Sequence, residues 1–163
     1  MRYFGKILSK TEDILHLGGC LGLVAVAVLI NADILLRLIF NRPVQIQFEV
    51  TELYLMPMLA TLSLSRVFRD GGHLALEFMP EDLPGRFGRL ISSLRLLLPA
   101  AFFAAVTWMS GKFALEAFLH GDVEYGAMDW PLGWAYGVIP LGCGVLVLRL
   151  LYNAAAQGKA VKT

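Results

Sequence analysis

Charge is scarce in this 163-residue chain: Asp, Glu, Lys and Arg make up 17% of it, where a soluble domain carries ~25%. Cysteine is scarcer still. Cys20 and Cys143 both fall inside apolar stretches and read as small apolar fillers, not as a disulfide or metal pair. The three histidines, His16, His73 and His120, stand at different depths, whereas bis-histidine haem ligation needs two facing rings at one depth. No nucleophile or metal motif is present. Gly71-Gly72 reads as a turn, because no glycine series and no Lys-Ser/Thr accompany it as a phosphate loop requires. Catalysis and a cofactor of this chain's own are therefore not expected. A net charge of +1 gives no reason to expect nucleic acid. The N-terminus does not read as a cleaved signal, since Glu12 and Asp13 interrupt its basic region and the apolar run that follows is too long.

What fills the chain instead is apolar length. Hydrophobic residues make up 57%, above the ~45–50% of soluble domains. A ~30 Å hydrocarbon core takes about 20 helical residues to cross. Four stretches qualify as spans, at about 14–40, 50–68, 90–119 and 130–151. The expectation is an all-α integral membrane protein: one four-helix domain over 1–163, in contact with membrane lipid. The second span is the weakest, with Glu52 and Arg66 at its edges; Arg66 can run its stem along the helix and reach the interface. Pro57, Pro99 and Pro140 each remove a backbone hydrogen bond and predict kinks. The spacings Gly18-x-x-x-Gly22 and Gly133-x-x-x-Gly137 predict close helix packing.

Orientation follows from the basic residues. Eleven of the fourteen Lys and Arg lie at the N-terminus, around the gap between spans two and three, or at the C-terminus. Only Arg37, Arg42 and Lys112 fall on the other side, beside the acidic loop of Asp122, Glu124 and Asp129. Basic residues of short loops stay cytoplasmic, which predicts that both termini are inside. Between spans two and three, Leu74 and Phe78 share a helical face, so that segment reads either as a short amphipathic piece at the interface or as a plain loop.

Ionisable residues within membranes are the default functional candidates. Asp33 stands four residues before Arg37 on one helix face, and Glu52 is a second partner for Arg37 across the hairpin. One reading makes Asp33 a proton or ion site. The other makes Asp33, Arg37 and Glu52 a structural polar cluster. Trp130, Trp134 and Tyr136 suit an aromatic interfacial belt, with Tyr54 matching them on the second span.

Several motifs now align in order. Arg37-Leu-Ile-Phe40-Asn41 is followed by Glu52 opening the second helix, then by Arg66 and Gly71-Gly72-His73-Leu-Ala-Leu-Glu77. Trp130-Pro131-Leu-Gly-Trp134-Ala-Tyr136 and Ile139-Pro140-Leu-Gly142 come in the last span. Together they resemble the small membrane subunit, DctQ-like, of tripartite ATP-independent periplasmic (TRAP) transporters. The family often has Gly where Ser63 stands, and a Glu pair where Glu49 and Glu52 lie three apart.

The resemblance implies a fixed scaffold in a bacterial inner membrane, beside a large membrane subunit that holds the solute and sodium sites. A periplasmic solute-binding protein would deliver a small organic acid to that pair. Arg66, Gly72 and His73 would then order the cytoplasmic side, and Asp122, Glu124 and Asp129 would form a docking surface. Trp130, Pro131, Tyr136 and Pro140 belong to the fourth-helix motif. Two other functions stay open on the residues alone. One is a self-sufficient proton-coupled transporter using Asp33; the other is the membrane anchor of a respiratory enzyme.

Overall fold

Gly71 and Gly121, both with positive φ, end helical stretches of this apolar chain, whereas Pro99 and Pro140 lie inside continuous helices. The computed structural model describes residues 2–41, 44–71 and 86–160. Along them run α1 (Arg2–Phe40), α2 (Gln45–Val50), a π-helical turn (Thr51–Leu55), α3 (Met56–Leu62) and α4 (Leu64–Arg69). Then come α5 (Arg86–His120), strands β1 (Val123–Tyr125) and β2 (Asp129–Pro131), and α6 (Leu132–Ala160). Among the described residues the fold is all-α but for that small antiparallel hairpin, where the sequence predicts a loop. Gly72, His73 and the expected amphipathic segment around Leu74 and Phe78 lie outside the described residues.

Among the described residues, three helices hold stretches long and apolar enough to cross a membrane: Gly5–Phe40, Leu96–His120 and Leu132–Ala155. The remaining expected span, 50–68, falls on the run from α2 to α4, which is helical but broken into pieces. Pro57 has no N–H to give the helical ladder. Just before it, Met56 N–H reaches back five residues to the Thr51 carbonyl, the geometry of a π turn. Ser63 separates α3 from α4.

Helix α1 begins twelve residues earlier than the span expected from 14. Its polar first turns continue the helix because Leu8 and Glu12 are buried against other helices. At 39 residues it is about 58 Å long, nearly twice the hydrocarbon thickness. It ends on Asn41 in the left-handed conformation (φ 53°), a helix stop that Asn tolerates better than most residues.

Helices α5 and α6 pair most extensively, around a core of Leu96, Ala100, Leu146 and Leu150. The α3 run lies against α6 so closely that a side chain at Gly142 would collide with the Thr61 carbonyl. Gly18 and Gly22 of α1 face Met58, and Gly133 and Gly137 of α6 face Phe118, so both glycine pairs serve packing. The rest of α1 is laterally open: Leu17, Leu21, Val24 and Val28 are each about 60% exposed, a surface suited to lipid or to another helix. Gly5 lies against Tyr152, so α1 starts where α6 is finishing. The bundle thus has a terminal end and, opposite it, a hairpin end.

Candidate functional site

Polar side chains gather at these two ends. At the terminal end the centre is Glu12, which is fully buried. Its Oε1 accepts a hydrogen bond from Ser65 Oγ at 2.8 Å, and its Oε2 accepts one from Arg69 Nη1 at 3.0 Å. Arg149 Nε approaches Oε1 at 3.5 Å as an ion pair without hydrogen-bond geometry. One carboxylate from α1 therefore ties α4 to α6. Burying it is tolerable only because two guanidinium groups and a hydroxyl replace water.

A more exposed layer surrounds this centre. Arg69 donates through Nη2 to Asp13 at 2.6 Å and through Nη1 to the Ser9 carbonyl at 3.1 Å. Arg66 donates through Nη1 to Asp13 and through Nε to Asp70 at 2.7 Å. The hydrogen bond from Arg66 holds the Asp70 carboxyl below its ordinary range.

One turn inside, His16 Nδ1 stands 3.2 Å from Ser63 Oγ, the position where the resemblance led us to expect Gly.

At the hairpin end, Asp33 is buried and both of its oxygens are engaged. Arg37 Nη2 donates to Oδ2 at 2.9 Å, and the Val44 backbone N–H donates to Oδ1 at 2.7 Å. The carboxylate thus fastens α1 to the start of α2. Glu52, expected as the third member, is exposed and pairs with neither Asp33 nor Arg37 among the described residues.

The acidic residue that crosses between elements here is Glu49. Its Oε1 accepts from Ala127 N–H at 2.7 Å and its Oε2 from Trp130 Nε1 at 2.5 Å. The seat exists because residue 126 is Gly; a Cβ there would run into the carboxylate. Tyr54 adds a hydrogen bond from its hydroxyl to the Pro131 carbonyl at 2.9 Å, and its ring meets Trp130 edge-on at 5.8 Å. The hairpin is thereby clamped to the α2 run.

Asp122, Glu124 and Asp129 are all exposed on this clamped hairpin. Glu124 lies opposite Trp130 and Asp129 opposite Tyr125, while the Asp122 carbonyl receives Leu132 N–H at 3.0 Å. In α6, Trp134 is 66% exposed with its ring edge-on to Phe118. Tyr136 lies beside Ser110 and Phe113, and Pro140 beside Gly111. Among the described residues no group of three His, Cys, Asp or Glu could hold a metal ion.

Residues 26–159 match the family described as tripartite ATP-independent periplasmic transporters, DctQ component. The chain belongs to the DctQ family. No curated protein and no solved structure matches it. The match starts after Glu12, Asp13 and His16 but covers their partners Ser63, Ser65, Arg66, Arg69 and Arg149.

Reading the sequence of this DctQ protein missed that network, although a signal was present. Glu12, Arg69 and Arg149 each sit at the same end of a different apolar stretch, and unlike charges at one depth are candidates to pair. Glu49 was weighed only as half of a Glu pair, because nothing local links it to Gly126 and Trp130 far along the chain.

Proposed function

We propose that this DctQ chain is the non-catalytic scaffold subunit of a sodium-coupled TRAP transporter in a bacterial inner membrane. Its partners are the large membrane subunit, which holds the solute and sodium sites, and a periplasmic binding protein that delivers a small organic acid. The chain crosses the membrane four times, with the run from α2 to α4 as the second span. The terminal end faces the cytoplasm, where Lys and Arg are concentrated, and the hairpin end faces the periplasm.

The observation that carries the scaffold reading is where the buried carboxylates point. Glu12 and Asp33 are satisfied by guanidinium, hydroxyl or amide groups of this same chain. Groups spent on holding helices together are not free to carry a solute or proton through conformational change. Asp33 in particular has both oxygens occupied, which argues against a proton site there. The hairpin, rigidly held and acidic at Asp122, Glu124 and Asp129, suits a docking surface for the binding protein.

Co-expression tests this directly. A tag on this chain should recover the large subunit from detergent extracts, and failure to recover it would end the scaffold reading. Charge reversal at Asp122 and Glu124 should then lower solute uptake while leaving that recovery intact. Unchanged uptake would remove the docking role alone.

A further inference from the structure

Lys112 is the one charged residue of α5 beyond Leu96 that sits well inside the helix without a carboxylate partner among the described residues. It stands eight residues before His120, about 12 Å below the end of the helix. Neighbouring contacts fix that depth. Phe118 packs on Gly133 and Trp134 near the start of α6, whereas Gly111 meets Pro140 and Thr107 meets Gly144 further in. Lys112 thus lies about one turn below Tyr136, the innermost residue of the aromatic belt. Its ammonium turns deeper still, 5.3 Å from the ring centre of Trp108, one turn toward the terminal end. Glu116, one turn outward, does not pair with it.

A groove of about 850 Å³ opens beside this cation between α5 and α6. Gly111, Gly144 and Pro140 leave its floor low, and Trp108, Leu141 and Leu148 form rims that are 69%, 61% and 48% exposed. A groove floored by glycine accepts the side chains of a closely approaching helix. A lysine meant for a lipid phosphate would stretch outward to the interface. This one bends inward, where no phosphate lies.

From these observations we infer that the α5–α6 groove seats a transmembrane helix of the large subunit, and that this helix carries a carboxylate facing Lys112. The inference rests on the scaffold reading above and adds the face and the chemistry of the contact. A cation left unpaired at this depth is costly, so a partner carboxylate gains more here than at a wet surface. The open stretch of α1 from Leu17 to Val28 carries no charge and is the lipid-facing alternative.

Photo-crosslinking residues at Leu141, on the groove rim, and at Val24, on α1, distinguish the two faces in cells that make both subunits. Leu141 should crosslink to the large subunit and Val24 to lipid only. Lys112→Glu should reduce recovery of the large subunit by about tenfold or more, with Lys112→Met reducing it less and both variants reaching the membrane at normal levels. Crosslinking from Val24 instead, or full recovery with Lys112→Glu, would overturn the groove assignment while leaving the scaffold reading standing. If the unmodified chain recovers no large subunit, both fall.

Discussion

Glu12 at the terminal end and Glu49 at the hairpin end of this bundle each tie elements far apart in the chain, and the two are held very differently. Glu12 is fully buried between two guanidinium groups, with Ser65 as a third partner. Glu49 is only partly buried and grips one loop amide and one indole N–H. Losing a partner at the first site strands charge where water cannot follow. Losing one at the second lets water in. The first is therefore suited to fixing helices permanently, and the second to positioning a surface element that a partner must meet.

The largest effect that can break this comparison is Glu12→Ala. It leaves buried Arg149 without a carboxylate partner among the described residues, while Arg69 keeps Asp13, and should cost about 3–5 kcal/mol, enough to abolish a cooperative thermal transition in detergent. Ser65→Ala, which removes a single hydroxyl from the same carboxylate, should cost about 1–3 kcal/mol.

At the other end, Glu49→Ala should cost less globally but release the hairpin. Limited proteolysis between 121 and 129 should then become rapid, with Trp130 fluorescence moving toward that of exposed indole. Glu52→Ala is the matched control. It lies three residues away and is exposed, so it should change stability by no more than about 0.5 kcal/mol. If the two substitutions behave alike, Glu49 is not the clamp.

The smallest effect is acid sensitivity of the outer layer at the terminal end. Asp70 has a carboxyl depressed in the folded state, so its contribution is complete above the unfolded value of about 3.9 and fades as pH falls below it. Thermal stability in detergent should be level from pH 7 to about pH 5 and fall below about pH 4. Arg66→Gln should flatten that acid limb.

The apolar stretches, the break at Pro57 and the glycine packing were legible in the sequence because each depends on residues close in the chain. Asp33 and Arg37 were legible for the same reason, being one helical turn apart. Glu12 with Ser65 and Arg149, and Glu49 with Trp130, join residues dozens of positions apart, and only the packing of α4, α6 and the hairpin brings them together. The sequence points to Glu52 as a partner for Arg37, but nothing local marks Glu49, three residues earlier in α2, as the residue that meets the hairpin; that depends on the seat that Gly126 leaves, which is remote in sequence. The added turns of α1 were hidden likewise, since Lys6, Lys10 and Asp13 look like a solvated flank until Leu8 and Glu12 are seen to be buried.

Reconstitution into proteoliposomes is the sharpest measure of whether this chain holds rather than moves. With the large subunit and binding protein present, sodium-driven uptake of the solute should require this chain, and this chain alone should move none. Uptake by the chain alone, abolished by Asp33→Asn, would contradict the account.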